Sequence, residues 1–113
     1  MGSLVREYPK PVWSGQALSN VSVVSITFNV APTVNFSVQA AWTGNLVGSF
    51  KLQGSNDPIN VGWTDYPGAV SVNGPGSAMW NVQNIGYGFM RLIYVPISGS
   101  GTVNAASWFK NSL

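Results

Sequence analysis

The strongest constraint on this chain's fold is the alternation over residues 34–42. Val34, Phe36, Val38, Ala40 and Trp42 share one parity, and Asn35, Ser37, Gln39 and Ala41 share the other. Successive side chains of an extended chain point to opposite faces, so this order specifies a strand with one face buried and one face out. The same period recurs at Val24, Ile26, Phe28 and Val30, and at Phe50 and Leu52 with Lys51 and Gln53 between them. No segment carries a helical period.

Turn formers divide these runs. Ala31-Pro32-Thr33, Thr43-Gly44-Asn45, Gly54-Ser55-Asn56-Asp57-Pro58, Asn73-Gly74-Pro75-Gly76 and Pro96 to Gly101 each supply residues with a backbone reason to turn. Strands are expected over Val21–Val30, Val34–Trp42, Leu46–Gly54, Val61–Tyr66, Ala69–Val72, Ser77–Val82, Phe89–Val95 and Thr102–Lys110. The first two, joined by a short Pro-containing link, are expected to pair antiparallel. Phe89–Val95 is almost wholly apolar, which predicts a central strand covered on both faces. Gly86-Tyr87-Gly88 and Gly99-Ser100-Gly101-Thr102 read as hairpin turns. The expected fold is all-β: an antiparallel β-sandwich of jelly-roll type with about eight strands, with a closed barrel as the alternative.

Residues 1–20 read differently. Tyr8-Pro9-Lys10-Pro11-Val12-Trp13 holds two prolines that oppose regular ladder bonding and favour an extended path. The expectation is an extended N-terminal arm and loop over 1–20, followed by one β-sandwich domain over 21–113. A chain of 113 residues suffices for one such core. The apolar arm either straps its own domain or reaches onto a neighbour. No secretion signal is read at the N-terminus, and no run approaches the ~20 apolar residues of a membrane helix.

Chemistry is bounded by what is missing. With no His and no Cys, a Ser-His-Asp triad and thiolate zinc sites are excluded. The three acidic residues are Glu7, Asp57 and Asp65, and the two aspartates stand beside turns, where Asp most often bonds its own backbone. No catalytic residue, cofactor or metal ligand is assigned, and the chain is not expected to be an enzyme. Arg91 interrupts an apolar strand and needs a partner, for which Asp57 or Asp65 is the natural expectation.

Charged residues make up only 7% of the chain, and the basic ones are scattered, so no nucleic-acid footprint is seen. Five Trp are the most distinctive feature, because a rigid aromatic face can anchor a partner or stack on a sugar. Alternation puts Trp42 and Trp80 inside. Tyr8, Val12 and Trp13 in the arm, and Trp108 beside Phe109, are the expected partner-binding residues.

Gly48 to Asp57 with Trp63-Thr64-Asp65 resembles the strand-turn-strand signature of discoidin-like and carbohydrate-binding jelly rolls, and Tyr87 to Tyr94 resembles the later strand of the same folds, which carries an aromatic and an Arg. Ser98 to Ala105 resembles the last hairpin of small tailed-phage structural proteins, among them capsid decoration (cementing or staple) proteins. That resemblance implies a structural virion protein, made in the host cytoplasm and seated on the capsid surface. It would bind the major capsid protein or other virion subunits at coat-subunit junctions, be homo-oligomeric or lattice-bound, and touch neither nucleic acid nor membrane. The alternative it implies is a carbohydrate-binding module or phage receptor-binding accessory that stacks sugars on exposed Trp or Tyr.

Overall fold

The computed structural model describes residues 10–29, 35–83 and 88–110, with residues 10, 28, 29, 83, 109 and 110 described in backbone only. Among the described residues, ten strands run in order: β1 (Lys10–Leu18), β2 (Val23–Val24), β3 (Phe28–Asn29), β4 (Asn35–Gly44), β5 (Val47–Ser55), β6 (Thr64–Asp65), β7 (Val70–Asn73), β8 (Gly76–Gln83), β9 (Phe89–Ser98) and β10 (Gly101–Lys110). They form two antiparallel sheets. One has the order β1-β10-β4-β8; in the other, β2 and β3 flank β9, which pairs β5, and β5 carries β6 and β7 on its far side. The all-β sandwich expected from the alternation is the fold observed.

The connections make the sandwich. β4 runs into β5, β7 into β8 and β9 into β10, and each of these links passes from one sheet to the other. Hence the turn at Gly99–Gly101 is not a hairpin but a corner. Local turn chemistry is the same for both, so the residues alone point to a hairpin. The corners lean on one another. Gly74 N–H donates to Leu46 O at 2.8 Å, and the Trp42 indole donates to Gly74 O at 3.0 Å.

The core forms where the alternation predicts it. Phe36, Val38, Ala40 and Trp42 of β4 are buried, facing Phe50 and Leu52 of β5 and Met90, Leu92 and Tyr94 of β9. Phe50 is the hub of an aromatic cluster. Its ring centroid lies 4.7 Å from Trp42, 4.9 Å from Tyr94 and 5.9 Å from Trp13. These spacings fall in the range where offset and edge-on ring pairs add to area burial.

Three expectations need correction. First, residues 10–18 are no arm. β1 pairs with β10 from Lys10↔Ser107 to Leu18↔Gly101, with register shifts on both sides of Trp13. An edge strand accepts Pro because one of its sides has no ladder to serve. Val12 and Trp13 are therefore core residues, 3% and 5% exposed, and not surface anchors. Adding β1, and splitting the expected Val21–Val30 strand into β2 and β3, turns eight strands into ten.

Second, the described part of Val21–Val30 does not pair with β4. β2 and β3 pair with β9, while β4 lies between β10 and β8. Its phase is also inverted: Val24 and Ile26 are exposed and Ser25 is buried. Leu92 N–H donates to Ser25 Oγ at 2.9 Å, Ser25 N–H donates to Leu92 O at 2.8 Å, and the Ser25 hydroxyl donates to Ile26 O at 2.8 Å. A short hydroxyl can replace a ladder partner in this way, which no aliphatic residue can do.

Third, β9 is central in its sheet but not covered on both faces. Met90, Leu92 and Tyr94 are buried, whereas Arg91, Ile93 and Val95 are half-buried on the outer side.

Candidate interaction surface

The two outer faces of the sandwich differ in kind. On the six-stranded sheet, the polar side chains form one connected row. The Arg91 guanidinium lies 4.4 Å above the Trp63 ring centre. Arg91 Nε donates to Gln53 Oε1 at 2.9 Å, Gln53 Nε2 donates to Asp65 Oδ1 at 2.9 Å, and Lys51 Nζ meets Asp65 Oδ2 at 3.2 Å. The hydrogen bond from Gln53, then that from Lys51, holds the Asp65 carboxyl below its ordinary pKa. Arg91 thus reaches Asp65 only through Gln53, which corrects the expectation of a direct Asp partner. The register explains it: Gln53 stands opposite Arg91, and Asp65 stands opposite Gln53.

At the end of β5, Asp57 behaves as Asp beside a turn should. Its Oδ1 accepts Ile59 N–H and Asn60 N–H, each at 3.2 Å, and its Oδ2 accepts Asn60 Nδ2 at 2.9 Å. Its carbonyl accepts Val61 N–H at 2.9 Å and Gly62 N–H at 3.2 Å. The bonds to the carboxyl, with the Asn60 side chain foremost and then Asn60 N–H and Ile59 N–H, hold it below the ordinary range. Both aspartates are thereby committed to local structure. Among the described residues, no cluster of three His, Cys, Asp or Glu side chains could hold a metal ion.

The outer face of the four-stranded sheet contains none of this. Register sets its rows across the strands. Trp108 of β10 lies beside Ser37 of β4, which lies beside Asn81 of β8. The next row is Pro11, Ala106, Gln39 and Met79, followed by Asn104, Ala41 and Ser77, then Ala17, Thr102 and Thr43. Small hydrogen bonds tie the rows together: Thr43 Oγ1 and Thr102 Oγ1 are 3.1 Å apart, and Gly15 N–H donates to Asn104 Oδ1 at 2.7 Å. The charged side chains that the structure describes, Lys51, Asp57, Asp65 and Arg91, all belong to the other sheet or its loop. Trp108 and Met79 stand out of this plane of neutral described side chains, 39% and 54% exposed.

Of the expected partner-binding residues, Trp108 is exposed on this face, Val12 and Trp13 are in the core, and Tyr8 lies outside the described residues. Trp42 and Trp80 are buried as their parity requires. Met79 is a surface residue that the sequence reading does not single out. Its parity, opposite to that of the buried Trp80, is the signal that places it outside.

A small all-β sandwich with one ion-paired outer face and one outer face on which no charge is described is the class these features define. No protein-family model matches the sequence, and no curated protein matches it. Several solved structures share its fold. The SPBc2 prophage-derived protein YomS aligns with a TM-score of 0.59 at 9% identity, covering 96% of this chain and 99% of that one. A subunit of the Bacillus endospore appendages, a family of disulfide-linked pili, aligns with a TM-score of 0.53 at 9% identity over 94% of this chain and 89% of that one. A chain of infectious bursal disease virus, Gx strain, aligns with a TM-score of 0.52 at 11% identity; 95% of this chain spans 32% of that chain. At these identities the likeness is one of fold.

Proposed function

We propose that this chain is a structural virion protein, a capsid decoration protein that docks at coat-subunit junctions through the outer face of its four-stranded sheet. The carrying observation is that face. It is a plane of Ser, Thr, Asn, Gln and Ala without a described charge, from which Trp108 and Met79 project. Such a surface buries area on a protein neighbour without stranding a charge, and Trp is the residue type most often dominant at interface centres. The fold is shared with a prophage-derived protein, appendages that form pili and a virus, which supports an assembly role. The role is non-enzymatic, in keeping with a chain that has no His or Cys and whose described carboxylates are held by turn and strand partners.

The residues expected to strap a neighbour do not serve in this reading, because Val12 and Trp13 fill the chain's own core. Trp108 takes their place. Co-sedimentation of the Trp108→Ser variant with its cognate undecorated capsids tests the assignment. Binding should weaken at least about tenfold with the fold intact; unchanged binding would remove this face from the mechanism.

A further inference from the structure

The four lateral edges of the two sheets are not equally protected. On the six-stranded sheet, one edge is built from β2 and β3, of two residues each, interrupted where Ser25 replaces a ladder partner with its hydroxyl. The other edge is β6 and β7, of two and four residues, separated by a segment containing Pro67. On the four-stranded sheet, β1 carries Pro11, two register shifts and Gly15 at φ 59°. Shortness, proline and bulges are the devices that keep an edge from pairing with another chain.

β8 has none of them. It is an eight-residue edge strand, Gly76–Gln83, without proline, without charge and with unbroken register against β4. Among the described residues it is bonded on one side only. Its outward side chains Ser77, Met79 and Asn81 are exposed and neutral.

We infer that β8 is a self-association edge, which pairs antiparallel with β8 of a second copy of this chain. The occupant follows from symmetry and charge. A two-fold axis brings one surface against itself, so any charge on it would meet a like charge. β8 is the long edge on which that penalty is absent. Antiparallel pairing joins the two four-stranded sheets into one continuous sheet. Their outer faces, neutral among the described side chains, then become one surface of twice the extent. The inference stands on the edge alone and does not require that the outer face bind a capsid.

The test uses the purified full chain without capsids. Sedimentation equilibrium at about 100 µM should report twice the 12.0 kDa chain mass. Amide exchange along β8 should slow as concentration rises. The exposed substitutions Ser77→Lys and Asn81→Lys together should return the chain to a monomer, while Ala106→Lys, exposed on central β10, should leave the dimer in place. Near-UV circular dichroism confirms that each variant is folded. A chain that stays monomeric at this concentration would overturn the inference, as would a dimer indifferent to the β8 lysines. Capsid binding is read separately, so failure here is distinguishable from failure of the docking role.

Discussion

Asn45 and Ser100 exchange two hydrogen bonds between corners that the sequence separates widely: Asn45 N–H donates to Ser100 O at 3.1 Å, and Ser100 N–H donates to Asn45 Oδ1 at 3.0 Å. This pair joins the β4–β5 crossing to the β9–β10 crossing. Close backbone approach makes it possible. Gly99 has φ 87°, and a Cβ there would collide with Asn45 O. Gly99→Ala should therefore destabilise by more than ~2 kcal/mol, from strain and steric displacement together. Urea unfolding monitored by Trp fluorescence measures it. Gly74→Ala is the comparison: its φ of 86° is equally unusual, but a Cβ there would meet nothing within 4 Å, so its loss should be smaller.

Two buried indoles offer a matched pair. Trp42 Nε1 donates to Gly74 O at 3.0 Å, whereas Trp13 Nε1 is buried with no hydrogen-bond partner among the described residues. Leaving a buried donor unpaired costs about 1–3 kcal/mol. Trp13→Phe removes that penalty as it removes volume, so its net effect should lie within ~1.5 kcal/mol of zero. Trp42→Phe loses a satisfied bond as well as volume and should be the more damaging of the two. Trp13→Ala, which empties the contact with Phe50, should cost about 3–5 kcal/mol. Equal losses for the two Phe variants would show that the indole bonds do not matter.

Acid should weaken the fold through Asp57 and Asp65. Both carboxyls are held below the ordinary 3.8 in the folded chain, by Asn60 and by Gln53 with Lys51 respectively. A depressed folded pKa gives stability that is present above the unfolded pKa and lost as pH falls through the folded one. The thermal midpoint should hold from roughly pH 7 to pH 5 and fall below roughly pH 4. The Asp57→Asn, Asp65→Asn double variant should show a flatter profile in that acid limb. Asp65 is solvent-exposed, so added salt should shrink the effect of the Lys51 pair.

The Arg91 row predicts an order among neutral substitutions. Arg91→Met loses the bond to Gln53 and the contact with the Trp63 ring, which together are worth about 1–2 kcal/mol. Gln53→Ala should cost a similar amount, because Gln53 serves both Arg91 and Asp65. Asp65→Asn should cost less than either. A double-mutant cycle between positions 53 and 91 should give a larger coupling than one between 65 and 91.

Much of the fold is legible in the sequence, and the parts that are not share a physical cause. Strict alternation over β4 and at Phe50 and Leu52 puts the right side chains inside, because burial on one face fixes parity. Pro11 argues against a strand over residues 10–18, yet β1 is an edge, where the rule is relaxed. The phase of Val21–Val30 fails at Ser25, whose hydroxyl does what a backbone group is expected to do. The expected partner of Arg91 fails because register across β9, β5 and β6 is non-local, and it sets a neutral Gln53 where charge alone would set an aspartate. For the candidate surface, Trp108 is legible as an exposed residue. That its whole sheet face lacks described charge becomes visible only once β1, β10, β4 and β8 are known to lie side by side.

The central claim is that one face docks and the other does not. Gln39→Glu with Ala41→Glu puts charge at two exposed positions in the middle of the four-stranded sheet, and Lys51→Glu changes charge on the opposite face. The measurement is equilibrium binding of each folded variant to cognate undecorated capsids. Stranding a charge in an interface is expected to weaken binding by at least about tenfold for the first variant and to leave the second near the parent value. Parent-like binding by the Gln39→Glu, Ala41→Glu variant, or loss confined to Lys51→Glu, would contradict the account.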